Sequence, residues 1–191
     1  MLDLSKYNQN TSLKIVIGAG EQKYDGWIST QKDDLDLTNE EHWIQSFSVL
    51  KADRFLCEHV FEHLTLMEGQ EAAKWLFNSL RPGGKLRVSV PDLNFPSKEY
   101  QVSVQVGGPG PLNHPAADHK IVYDYRLFTS LFKNAGFDVN LLEFCDEKGR
   151  FHFNYWHPSD GFLYRTLRFD HRNRDGELGF VSIALDCIRP K

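Results

Sequence analysis

LKIVIGAG, residues 13–20, carries the signature of the fold. Leu13 to Ile17 is a short, nearly continuous apolar run, as expected of a strand buried on both faces, and it breaks directly into Gly18-Ala19-Gly20. Working outward, a second short strand is predicted near Trp27 to Thr30. The acidic stretch Asp33-Asp34-Leu35-Asp36-Leu37 then leads to a helix containing Glu40 to Phe47. Arg54 to Cys57 is another apolar run, closed by Glu58-His59. Ala72, Ala73, Leu76, Phe77 and Leu80 recur at helical spacing, predicting a helix over 68–80 that Pro82-Gly83-Gly84 stops. Lys85 to Val90 alternates polar and apolar residues as a strand does, and Pro91-Asp92 ends it. A helix is predicted from Asp124 to Ala135 with Gly136 as its stop, followed by strands at Phe137 to Phe144 and Gly179 to Ile188. Strands alternating with helices predict a layered α/β fold with a largely parallel sheet. Such sheets place ligands at the carboxyl ends of their strands.

The 191 residues suit one domain over 1–191. With 41% hydrophobic and 25% charged residues, the chain is neither wholly disordered nor fibrous. Lys and Arg number 22 against 26 Asp and Glu, so no global basic field gathers phosphates and nucleic acid is not an expected partner. No basic segment followed by an apolar one opens the chain, and no run approaches the about eighteen apolar residues of a membrane span, so neither secretion nor a membrane partner is expected. Cys57, Cys145 and Cys187 are odd in number and far apart, which fits buried, reduced thiols and a cytoplasmic protein.

Two short patterns bear on chemistry. In Gly18-Ala19-Gly20 the glycines let the backbone turn sharply and approach a ligand, though an ordinary tight turn reads the same way, and Lys23 stands where a dinucleotide fingerprint has its third glycine. His59 to His63 has the HxxEH spacing, which on a helix puts two imidazoles one turn apart beside a carboxylate, as in inverted zinc peptidases. The alternative is that Glu62 and His63 cap or pack the start of a helix. No downstream helix offers an obvious third ligand, and no metal site is expected.

KIVIGAG, YDGWISTQ, LDL, FLCEHVFEHL and LRPGGKLRVSVPD follow one another in the order and spacing of a class I S-adenosylmethionine-dependent methyltransferase. The chain resembles a small branch of that family with EHxxEHL and PGGxLRxxVPD motifs, and HKIVYDYRLFTSLFKNAGF extends the likeness. The resemblance implies a Rossmann-like methyltransferase sandwich, with a seven-stranded, largely parallel sheet and its last strand antiparallel. It also implies S-adenosylmethionine as cofactor. Gly18, Ala19 and Gly20 would approach its methionine and ribose portions, and Asp36 and Leu37 would lie beside the adenine. Cys57, Glu58 and His59 would contact the methionine end, with Glu62 and His63 beginning the helix behind. Gln31 departs from the family pattern: an acid commonly takes both ribose hydroxyls there, and an amide bonds them without charge assistance.

Asp92, with His114 and His119 on the turn-rich stretch that follows, leaves the face where substrate should enter, and these three are the candidate catalytic bases. Phe151 to His157 alternates aromatic residues inside an expected substrate-covering insertion near 146–176. It reads either as a hairpin closing over substrate or as packing or a homodimer surface. Arg165, Arg168, Arg172 and Arg174 favour an anionic substrate or form a solvated face. The leading expectation is methyl transfer to a small-molecule acceptor, oxygen or nitrogen. The alternatives are a noncatalytic cofactor-binding or scaffolding protein of the same fold, and a zinc hydrolase using His59 and His63.

Overall fold

The computed structural model describes residues 1–174 and 176–191; Asp175, inside the expected insertion, lies outside the described residues. Among the described residues, seven strands form one sheet: β1 (Lys14–Ile17), β2 (Ile28–Ser29), β3 (Ala52–Glu58), β4 (Leu80–Pro91), β5 (Asp138–Cys145), β6 (Phe151–Phe153) and β7 (Ser182–Ile188). Their order is β2-β1-β3-β4-β7-β5-β6. β1 to β4 pair in parallel. β7, the last strand, runs antiparallel between β4 and β5, so β5 points the same way as β1 to β4, and β6 is reversed at the edge.

Among the described residues, four α-helices, α1 (Glu40–Phe47), α2 (Leu66–Ser79), α3 (Lys98–Val104) and α4 (Tyr125–Asn134), fill the connections. Their starts are written locally, because side-chain oxygens satisfy N–H groups that have no partner in the first turn. Asn39 accepts from Glu41 at 3.0 Å and Asp124 from Leu127 at 2.7 Å. Thr65 and Glu68 form a reciprocal capping box. α1, α2 and α4 pack on one sheet face, where Trp43, Leu76, Phe128 and Phe132 meet Ile15, Ile17, Phe55 and Val88. The opposite face, presenting Val16, Leu56 and Ala184, is covered by an irregular aromatic segment carrying Trp156, Leu163 and Phe169.

Two expectations are corrected. The helix ends at Ser79, before Pro82-Gly83-Gly84: Leu80 is already extended, and the glycine turn is folded into the start of β4, where the Gly83 N–H donates to Arg189 O at 2.8 Å. The aromatic alternation divides: its first half forms an antiparallel hairpin with β5, and its second half does not. Phe151 to Phe153 pairs with β5 as an edge strand, and the chain then crosses the sheet face. All three cysteines are buried and free. Among the described residues, no helix is long and apolar enough to cross a membrane.

Candidate functional site

Two cavities that share a wall open beyond the carboxyl ends of β1, β3 and β4. The larger, about 510 Å³, is lined by Gly18, Leu35, Asp36, Leu37, His59 and Lys120 among others. The smaller, about 310 Å³, is lined by His59, Glu62, His63, His114, His119 and Arg165 among others. His59 and His63 face both. A further cavity of about 640 Å³ lies against Lys85, Arg87 and Asp186, whose charges already pair with one another or with Asp160. It is remote from the strand ends where an open α/β sheet takes its ligands.

Of the glycine turn, Gly18 lines one end of the larger cavity, whereas Gly20 and the neighbouring Gln31 line neither cavity. Gly18 and Gly20 have φ of +62° and +55°, in the left-handed region. A Cβ at Gly18 would lie 2.6 Å from Val60 Cγ2, whereas one at Gly20 would meet nothing within 4 Å. Packing therefore requires the first glycine, and the second leaves open space. Ala19 is buried against the opposite sheet face and lines neither cavity. Gln31 Nε2 donates to Gly20 O at 2.6 Å, so the amide braces the turn from outside and keeps its oxygen free.

Asp36 and Leu37 lie where the larger cavity leaves β2. Asp36 Oδ1 accepts from Thr38 N–H and Oγ1, both at 2.8 Å, and Oδ2 stands 3.9 Å from Lys32 Nζ. Leu35 and Leu37 are buried and give the cavity an apolar wall.

At the end of β3 the three expected contact residues separate. Cys57 is buried, its thiol pKa pushed well up by loss of solvent, and it lines neither cavity. Glu58 also lines neither: Oε1 accepts from the Arg165 N–H at 2.6 Å and Oε2 from the Gln22 amide at 3.0 Å, tying the crossing segment to the strand end. His59 alone reaches the cavities. Its φ of +55° makes it the one non-glycine residue of positive φ among the described residues, a strained conformation of the kind that gathers at functional sites. Its Nε2 lies 2.9 Å from Ser182 Oγ, and burial, then Arg165, holds its pKa well below the usual histidine value, leaving it neutral.

The HxxEH helix does not form. Phe61–His63 is a single 3-10 turn and α2 starts only at Leu66, so His59 and His63 do not share a helix face, and the zinc-peptidase geometry is absent. The physical cause is the Thr65–Glu68 capping box, which fixes the helix start downstream. Glu62 is 1% exposed, faces the smaller cavity, and burial pushes its pKa up to about 7.

The three expected bases also separate. Asp92 is fully buried and lines neither cavity; Oδ2 accepts from Cys145 N–H at 2.6 Å and Oδ1 from Asn94 N–H at 2.9 Å, so it pins β4 to β5 and reaches no acceptor. His114 lines the smaller cavity, but its Nδ1 accepts from the Ala116 N–H at 3.1 Å, which puts the proton of the neutral ring on Nε2. His119 has the opposite arrangement: Nδ1 lies 2.8 Å from Val104 O, a carbonyl that only accepts, so Nε2 keeps its lone pair. Lys120 and Asp118, which also line the larger cavity, were not singled out in the sequence, although they flank His119 directly. Arg165 has no hydrogen-bonded or ion-paired side-chain partner among the described residues.

No protein-family model matches the sequence, and no curated protein matches it. Solved structures do share the fold. A SAM-dependent methyltransferase from Archaeoglobus fulgidus is 15% identical, with 96% of this chain and 88% of that one covered and a TM-score of 0.54. An O-methyltransferase family protein from Burkholderia thailandensis is 11% identical, with 95% and 52% covered and a TM-score of 0.52, so the chain spans about half of its length. The fold is the Rossmann-like methyltransferase fold.

Proposed function

We propose that the chain is an S-adenosylmethionine-dependent methyltransferase, one domain over 1–191, acting on a small-molecule acceptor. The observation that carries this reading is the pair of cavities meeting at His59 and His63 beyond the strand ends of this fold. A volume of about 510 Å³ suits a cofactor site. The lining fits S-adenosylmethionine: Leu35 and Leu37 supply an apolar wall for the adenine and Asp36 Oδ2, 3.9 Å from Lys32 Nζ, an acceptor for its amine, while outside the lining Gln31 Oε1 offers an acceptor for a ribose hydroxyl and Gly20 open space beside the turn. The bound cofactor supplies an electrophilic methyl group.

The smaller cavity takes the acceptor, and the segment near 146–176 covers it through Arg165 and Arg172. The unpaired Arg165 guanidinium favours an acceptor bearing an anionic group. Most of the acceleration comes from aligning the acceptor atom with the methyl carbon opposite sulfur. Where the acceptor carries a proton, the loop after β4 activates it through His119, whose Nε2 lone pair is available where that of His114 is not.

Titration calorimetry with adenosylhomocysteine on wild type and Gly20→Asn tests the reading. Asn tolerates positive φ, so the fold is kept while the side chain fills the open space. Affinity is expected to fall at least about tenfold, or about 1.4 kcal/mol. Equal affinities, or no heat from wild type at millimolar ligand, would count against the site.

A further inference from the structure

We propose that Glu62, His63 and His119 hold a divalent transition-metal ion of zinc type at the wall between the two cavities. One ligand atom from each lies within 4.8 Å of the others, although the residues come from two separate stretches of chain. Each imidazole is oriented as metal-binding histidines are, with one ring nitrogen held by an outer partner. His63 Nδ1 lies 2.7 Å from Asp118 Oδ1, and His119 Nδ1 lies 2.8 Å from Val104 O, so Nε2 of each ring is the nitrogen left for an ion. The two rings stand edge to face with centroids 4.8 Å apart.

Glu62 supplies the independent observation. Its carboxyl is 1% exposed and faces the smaller cavity, and neither oxygen has a hydrogen-bond partner. His59 Nδ1 approaches Oε1 to 3.1 Å, but at an angle outside hydrogen-bond geometry. A buried carboxyl without a partner is costly, and buried charges are normally paired or coordinate a metal. Two imidazoles and one carboxylate form a ligand set that zinc accepts while keeping a position open. Ligand atoms of a tetrahedral zinc site with bonds of about 2.0–2.1 Å are about 3.3 Å apart, so binding draws the three side chains together by rotamer adjustment.

With the ion in place the His119 Nε2 lone pair is used in coordination, so that ring no longer serves as base. The open position would face the cavity that Arg165 lines, where the ion would lower the pKa of a bound acceptor hydroxyl so that solvent takes its proton. This consequence rests on the methyltransferase reading; the ion site itself does not. It departs from the expectation of no metal, because His119 joins the pair only through the fold.

Protein stripped with a chelator and dialysed is titrated with zinc chloride by calorimetry and with cobalt(II) by visible absorption. One ion per chain is expected, with a cobalt d–d spectrum of low coordination number. Glu62→Gln and His119→Ala should each weaken zinc binding by about a hundredfold, and Asp118→Asn, which loosens His63, by about tenfold to a hundredfold. His114→Ala, on the same cavity but outside the cluster, should bind within about twofold of wild type, because all three ligands are untouched. Melting curves without zinc identify any variant that loses zinc only by misfolding; isosteric Glu62→Gln keeps the test decisive if His119→Ala fails to fold. Wild type binding no better than Glu62→Gln, or His114→Ala losing as much as His119→Ala, overturns the site. Adenosylhomocysteine titrations on the same samples separate the two readings: cofactor binding without zinc binding sinks the ion site alone, and zinc binding without cofactor binding supports the ion site and sinks the methyltransferase.

Discussion

The two faces of the sheet are held by different physics. On one, α1, α2 and α4 bury aliphatic and aromatic side chains against Ile15, Phe55, Val88 and Leu185. On the other, the chain after β6 crosses with no α-helix among the described residues, and much of what fixes it is polar. Arg87, 1% exposed, pairs with its cross-strand neighbour Asp186 through Nε–Oδ1 at 2.7 Å and Nη2–Oδ2 at 2.8 Å. Its Nη1 donates to the carbonyls of His157 and Gly161 at 2.8 and 2.7 Å, and its guanidinium lies 4.8 Å from the Trp156 ring centroid. A helical face is stabilised by area, which is non-directional and tolerates adjustment. A segment without repeating structure must instead satisfy each backbone group individually, and a forked guanidinium does this at several points.

The sharpest way to break this contrast is Asp186→Ala. It leaves the Arg87 charge buried without its counter-charge, which should destabilise the protein by about 3–5 kcal/mol in urea unfolding. Replacing both partners by leucine should recover part of that loss, because no lone charge then remains buried. Limited proteolysis should cut first within 157–170. A loss below about 1 kcal/mol would show that apolar packing, not the ion pair, fixes this face.

Leu76→Ala probes the helical face. Leu76 is fully buried within the helix-side core, and truncation should cost about 2–5 kcal/mol through lost transfer energy and a cavity. Here hydrogen exchange should rise throughout α2 and α4, with no selective cleavage in 157–170. If the crossing segment opens first here too, the two faces are one cooperative layer and the distinction fails.

The same contrast explains what could be read from the sequence. α1 is predicted at its observed position, and α4 within a residue at each end, because their apolar spacing and caps are local. β1 and the glycine turn are legible for the same reason. The crossing segment is not, since Arg87 and Asp186 are 99 residues apart and neither residue's neighbours announce the other. At the site, sequence order places His59 and His63 together, but it cannot show that His119 folds back to within a ring's width of His63, or that Glu58 is occupied by Arg165. Asp92 follows a strand end, the usual place for a functional acid, and only its fully buried hydrogen bonds reveal a structural role.

The smallest expected effect comes from Asp92→Asn, which tests that structural role at the junction of the two faces. Burial raises the Asp92 pKa to about 6 from an ordinary value of 3.8, despite two N–H groups that favour the ionised form. A carboxyl whose folded pKa is raised stabilises the native state below its unfolded pKa, and that contribution is lost as pH rises through the folded value. Wild type therefore loses stability on this group's account between about pH 4 and pH 6, whereas Asn cannot ionise and loses none. Asn keeps one acceptor oxygen but turns its NH₂ toward the second backbone N–H, so at pH 4 the variant should be less stable than wild type by about 1–2 kcal/mol. That gap should narrow or reverse by pH 7.5. Adenosylhomocysteine affinity should stay within about twofold, less than the 1.4 kcal/mol of a tenfold change, since Asp92 lines neither cavity. A gap that widens with pH would mean that Asp92 ionises readily in the fold, and a large loss of cofactor affinity would mean that it reaches the site; either result would return Asp92 to the list of candidate bases.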